Sequence, residues 1–240
     1  MNQFGDAIEI IFQSRESNEG VRVGGSQFLD LAIDHMWLSL VATAIACATA
    51  VPLGLWLGHI GRGGFLAINV SNVGRAVPSL ALIAFFVAYL GVGFANVTLA
   101  LVLLAVPPIL TNTYVGVRQV DRDTVEAARG MGMTRWQIVR RVELPLALPL
   151  IFAGIRTAVV FVVATATIAA IAGGGGLGDI IVNQAAYGLE GVVGAAICVS
   201  VLALAADAAL GLVQRLLTPP GLLAEAHAFE PDVLTGTSHR

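Results

Sequence analysis

Thirteen arginines supply all the permanent positive side-chain charge of this 240-residue chain, which contains no lysine. Six of them, Arg118, Arg122, Arg129, Arg135, Arg140 and Arg141, fall in one polar stretch, while acidic residues crowd the two tails. Guanidinium groups at that density recognise anionic surfaces, either carboxylates on a protein partner or lipid headgroups. Other chemistries find less support. His35, His59, His227 and His239 are scattered, so neither a metal cluster nor a membrane enzyme's acid–base centre is expected. Cys47 and Cys198 lie in apolar stretches without CxxC or metal spacing and read as small buried residues. The run Gly173-Gly174-Gly175-Gly176-Leu177-Gly178 invites comparison with a phosphate loop, but no strand precedes it and no Lys-Ser or Lys-Thr follows. It is expected to form a tight turn, with contact to a protein outside the membrane as a second, compatible role.

The elements that must position these groups are hydrophobic. Of the residues, 57% are hydrophobic and 12% are charged, against roughly a quarter charged in a soluble domain. Five apolar spans, near 36–58, 65–90, 95–117, 147–172 and 191–213, each reach the roughly 20 residues a helix needs to cross about 30 Å of hydrocarbon. Ser71, Asn72, Arg75 and Pro78 interrupt the second, which is either a kinked helix or two pieces, so six segments remain open. Cytoplasmic connections retain arginine. Those at 59–64 and 118–146 hold Arg62 and the six clustered arginines, Arg215 ends the last span, and those at 91–94 and 173–190 hold none. The first 35 residues carry two arginines against six carboxylates, with no signal-peptide pattern. This predicts an all-α integral membrane protein with its N-terminus outside and its C-terminus cytoplasmic. Residues 1–35 form an extracytoplasmic segment, 36–217 the transmembrane domain with a cytoplasmic loop at 118–146, and 218–240 a flexible cytoplasmic tail.

Within the spans, Arg75, Arg156 and Asp207 are costly unless paired or wetted. Arg156 and Asp207 lie roughly 13 and 9 Å from the cytoplasmic ends of their spans, so a pair between them is feasible, as a brace or as part of a gate. Pro78, Pro107, Pro108 and Asn112 supply kinks and polar groups of the kind that line a cavity. Phe85, Phe86, Tyr89 and Tyr114 are able to stack on a quaternary ammonium, though aromatics on membrane helices more often pack or mark interfaces.

The arginine-rich loop has its own logic. Asp123 with Glu126, and Thr134 with Gln137, are capping-box pairs that each predict a helix start, and Gly130 and Gly132 break the chain between them. Two short helices joined at a glycine turn should lie on the cytoplasmic face. On the second, Arg135, Val139 and Val142 share a side, with Trp136, Arg140 and Glu143 beside them, an amphipathic rod suited to a groove in a partner. Pro145 and Pro149 fit the first turns of the next span.

This loop resembles the signature of the binding-protein-dependent ABC importer permeases: Glu-Ala-Ala, three residues, Gly, nine residues, Ile, one residue, Leu-Pro. The chain reads Glu126-Ala127-Ala128, Gly132, Val142 and Leu144-Pro145, with Val for Ile the one departure. The stretches from Val77, Pro107 and Gly173 make it similar to the permeases for glycine betaine, choline and carnitine, over about residues 36–216. The resemblance implies a type I importer permease fold in a bacterial plasma membrane, and a loop, including Thr134 and Trp136, that docks on a cytosolic ATPase. It further implies a second permease, identical or sister, and a solute-binding protein outside. ATP and Mg would sit on the ATPase, with no cofactor on this chain and no nucleic acid. An ion-coupled transporter would instead want several intramembrane carboxylates, and only Asp207 qualifies.

Overall fold

The structure, a computed structural model, describes residues 3–16, 22–62, 64, 65, 69, 74 and 77–218. Helix α1 (Gln3–Phe12) leads into a two-stranded antiparallel ribbon, β1 (Arg15–Glu16) with β2 (Arg22–Val23). There follow α2 (Ser26–Ile60), α3 (Ser79–Leu90), α4 (Phe94–Arg118), α5 (Arg122–Gly130) and α6 (Arg135–Ile138). A π-helical segment, Val139–Glu143, joins α6 to α7 (Leu144–Ala169), and the short α8 (Gly178–Val182) and long α9 (Gln184–Leu217) complete the order.

Four helical runs among the described residues are long and apolar enough to cross a membrane: Ser26–Ile60, Phe94–Arg118, Arg135–Ala172 and Gln184–Leu217. The first begins at Ser26, earlier than the 36 expected, because Phe28 and His35 continue a buried stripe beyond the apolar window. The span expected at 65–90 contributes α3, whose 12 residues rise only about 18 Å. Pro78 caps α3 in an extended conformation, and the residue before a proline is biased away from helix. Residues 3–12, expected to belong to a segment outside the membrane domain, pack as α1 on α9, where Gly194 brings the two backbones together against the Ala7 carbonyl.

The core is built from small residues. Leu38, Ala42, Ala46, Ala50, Gly54 and Gly58 recur every fourth residue along one buried face of α2. In lipid, tails compete for apolar contact as well as leucine does, so close van der Waals approach has to hold helices together. Here a Cβ on Gly54 would stand 2.7 Å from Thr113 Cβ, and one on Gly58 2.6 Å from Val117 Cβ. On the opposite side of α4, Gly116 faces Ala147 and Gly154 faces Asn112, closing α4 on α7. Only 6% of the apolar window of α9 is buried, which makes it the outer helix of the bundle. Two buried hydroxyls bond within their own helices: Ser39 donates to the His35 carbonyl and Thr113 to that of Ile109, both at 2.8 Å.

Candidate functional site

The arginine-rich loop folds as two helices about a glycine turn. Helix α5 starts two residues before the expected Asp123: its N-cap is Asp121, whose carboxylate accepts from the Thr124 amide at 3.1 Å and hydroxyl at 3.0 Å. An Asx cap needs only the amide three residues on, which Asp121 reaches, leaving Asp123 in the first helical turn. Those bonds hold the exposed Asp121 carboxyl below the usual carboxylate range. The helix ends in a Schellman motif, with Met133 N–H donating to Ala128 O and Gly132 N–H to Arg129 O. Gly132 takes φ +81°, a left-handed conformation that strains any side chain, although a Cβ there would meet nothing within 4 Å. Gly130 remains helical, so the break belongs to Gly132 alone. Helix α6 starts at a complete capping box: Gln137 N–H donates to Thr134 Oγ1 at 3.4 Å, and Thr134 N–H to Gln137 Oε1 at 2.8 Å.

The turn presents a bulky apolar edge. Met131 is 71% exposed and Trp136 70%, while Ala128 and Ile138 are buried beneath them. Glu126 and Ala127 face out, and Val142, Leu144 and Pro145 are half-buried at the helix junction. Arg62, Arg129 and Arg135 line a cavity of about 660 Å³ beside the turn.

Glu143 is not where helical periodicity puts it. Expected beside the exposed Trp136, it is 4% exposed, and both carboxylate oxygens accept from His59 Nδ1, at 2.8 and 3.0 Å. The π segment explains the difference. Five residues along an α-helix turn through about 500°, which would set Ile138 and Glu143 roughly 140° apart. With the Leu144 amide bonded to Val139 O, the turn is wider than 3.6 residues, which brings Glu143 back toward the face of Ile138, and both are buried. Pro145, which cannot donate to residue 141 and whose ring crowds that carbonyl, supplies the local reason for widening.

Within the bundle, Arg156 and Asp207 meet side on, Nε to Oδ1 and Nη2 to Oδ2, both at 2.7 Å. The pair ties α7 to α9, packs over Gly211 and borders a cavity of about 650 Å³ with Thr157, Val160 and Phe161. Arg75 lies outside the described residues. Pro107 is buried, Asn112 Nδ2 donates to the Pro108 carbonyl at 2.8 Å, and α4 stays helical through both prolines. Phe85 stacks with Phe86 and Tyr89 on α3, whereas Tyr114 lies apart in the α2–α4 packing.

The glycine run turns tightly between α7 and α8. Gly173, Gly175 and Gly176 have φ of +73°, +70° and +84°. A Cβ on Gly174 would crowd the Ala169 carbonyl, one on Gly176 the His35 backbone, and one on Gly178 the Thr167 carbonyl. Gly176 and Gly178 are buried and Gly173 is exposed. Beside the turn, burial and then the neighbouring Asp34 charge push the Asp179 carboxyl above its usual range.

Two contacts carry no sequence signal. His59 and Glu143 stand in different elements, as do His35, whose Nε2 donates to the Val163 carbonyl at 2.9 Å, and its partner. The one available hint is that an ionisable residue in an apolar helix needs a partner.

A model of the family described as "Binding-protein-dependent transport system inner membrane component" matches residues 50–219. The chain is 40% identical over 203 residues to the glycine betaine/carnitine/choline transport system permease protein OpuCB of Bacillus subtilis (strain 168), covering 84% of this chain and 94% of that protein. It is 41% identical over 218 residues to the carnitine transport permease protein OpuCB of Listeria monocytogenes, covering 90% and 96%. Among solved structures, an inward-facing conformation of the MetNI methionine ABC transporter aligns with TM-score 0.69 at 22% identity, over 80% of this chain and 96% of that one, a likeness of fold. With its apolar helices and its loop of preserved spacing, the chain belongs to the family of binding-protein-dependent transport system inner membrane components, as a multi-pass ABC importer permease subunit.

Proposed function

We propose that this permease carries a quaternary ammonium osmoprotectant, of the glycine betaine, choline or carnitine class, into a bacterial cytoplasm, driven by a separate ATPase. The substrate class rests on what relatives that match almost end to end, at about two residues in five, are named for. The observation that carries the coupling role is the turn at Gly132, where a Schellman stop and a capping box fix two helices and leave Met131 and Trp136 exposed. An apolar edge flanked by Arg129 and Arg135 suits a groove with acidic walls. Glu126, Ala127, Ala128, Gly132, Thr134, Trp136, Val142, Leu144 and Pro145 make up this coupling unit, with ATP and Mg held by the partner.

The remaining assignments follow from that orientation. The coupling loop and C-terminus are cytoplasmic and the N-terminus is outside, so the turn Gly173–Gly178 faces a solute-binding protein. A second permease, identical or sister, completes the pathway. Arg156 and Asp207 brace the wall of that pathway, with Pro78, Pro107, Pro108 and Asn112 shaping it.

The test is coexpression with the neighbouring ATPase and binding-protein genes. The ATPase should co-purify, and vesicles should take up labelled choline, glycine betaine or carnitine only with ATP. Gly132→Asp, which puts a side chain at φ +81°, should abolish uptake while the protein stays in the membrane. Recovery of no ATPase, or full uptake by that variant, refutes the coupling role. Import of an amino acid in place of these solutes refutes the substrate class.

A further inference from the structure

His59 and Glu143 join the last turn of α2 to the root of the coupling helix, and we propose that they act as a positioning strut that makes α2 move with the helix Arg135–Ala172. The inference rests on the coupling role proposed for the turn at Gly132.

Three observations carry it. First, the contact is buried and well directed: side-chain exposures are 9% for His59 and 6% for Glu143, and one Nδ1–H serves both carboxylate oxygens at 2.8 and 3.0 Å. A carboxylate withdrawn from water this way is held by its donor, since leaving it unmatched is costly. Second, the contact depends on a deformed helix. The π segment Val139–Glu143 turns Glu143 inward from the face that periodicity would give it, beside the partner-facing turn. Third, α2 is clamped to the same long helix at its other end, where His35 Nε2 donates to the Val163 carbonyl. The two clamps lie roughly 36 Å apart along α2 and roughly 30 Å apart along Arg135–Ala172, so the antiparallel helices form a frame fixed at both ends. Between them, Gly54 and Gly58 seat α2 on α4. A displacement of the coupling turn therefore reaches α2, and through it α4, without passing through the flexible side chains exposed at the surface.

Arg118, Arg122 and Arg129 line the cavity at Glu143, so removing His59 alone leaves arginines within reach of the carboxylate. The decisive variant is Glu143→Leu, assayed in the complete transporter by labelled choline uptake and ATP hydrolysis on the same vesicles. Uptake per ATP should fall about tenfold or more, the factor matching loss of a hydrogen bond to a buried charge, with hydrolysis and ATPase recovery within about twofold of the unchanged complex. Glu143→Gln keeps an acceptor for Nδ1–H and should hold uptake per ATP within about threefold. Uptake and hydrolysis falling in proportion, or neither falling, overturns the strut. A covalent arm covers failure of Glu143→Leu to assemble. With Cys47 and Cys198 replaced by alanine, the pair His59→Cys/Glu143→Cys should be poorly coupled when free. Bridged by a short bis-methanethiosulfonate it should recover, and reductant should reverse that recovery. Bridging that lowers uptake per ATP, or leaves it unchanged, overturns the strut. If the unaltered complex holds no ATPase, or Gly132→Asp transports normally, the coupling reading itself fails, a result distinct from all of these.

Discussion

Removing one partner of the Arg156–Asp207 pair should cost at least as much as removing both. Two parallel contacts at 2.7 Å bind the guanidinium to the carboxylate, and a hydrogen bond to a charged group is worth about 1.5–3 kcal/mol. Side-chain exposures of 36% and 31% mean that solvent or neighbouring headgroups screen part of this, so we take about 2 kcal/mol for the pair. For a chain of this size each kcal/mol moves the unfolding midpoint by about 2–4 °C, which gives about 4–8 °C for Asp207→Leu or Arg156→Leu. In the double variant no charge is stranded, and the loss should be no more than about half the sum of the singles. Thermal unfolding in detergent, followed by tryptophan fluorescence, reads this directly. Additive losses would refute the idea that the two groups stabilise the bundle through each other. Parallel uptake measurements separate brace from gate: a brace loses uptake in step with stability, whereas a gate changes uptake in the double variant even where the midpoint recovers.

Gly58→Leu should separate α2 from α4, because its Cβ alone stands 2.6 Å from Val117 Cβ against an ordinary contact of 3.4 Å or more; overpacking of this kind costs about 1–3 kcal/mol, visible as reduced yield and a lower midpoint. Thr134→Ala removes one arm of the capping box and should cost about 1 kcal/mol of local helix stability, seen as faster amide exchange in 135–138 with the global midpoint little changed. The Asp179 carboxyl titrates above its usual range in the folded chain, so the native state binds more protons than the unfolded one between the two values. Stability should therefore fall as pH rises from about 4 through the raised value and level off above it. Asp179→Asn should flatten that slope, and an unchanged pH profile would count against partial burial raising the Asp179 carboxyl.

The turn at Gly132 is legible in the sequence because its signals are local. Thr134 and Gln137 satisfy each other within four residues, and Gly132 marks a backbone conformation that only glycine adopts freely. Asp123, with Glu126 three residues on, fits the box pattern, whereas the cap at Asp121 needs only the Thr124 amide and leaves no such pattern. The Arg156–Asp207 pair was approachable because depth along two spans is a matter of counting. Glu143 was misplaced for the opposite reason: periodicity assumes a constant rise and turn, and the π segment before Pro145 breaks both. Nor does hydropathy reveal α1 on α9, since the docking of a short helix on a distant one depends on the shape offered at Gly194.

That docking joins α1 to an element far along the chain. The face of α1 at the Ala7 carbonyl, which backs onto Gly194, lacks that neighbour until the segment around Gly194 has left the ribosome. At 5–20 residues per second that delay is roughly ten to forty seconds. Until then the part of α1 that α9 covers is open, and in a chain stalled before α9 it stays so. Cover over that face thus reports that α9 has been made and has docked.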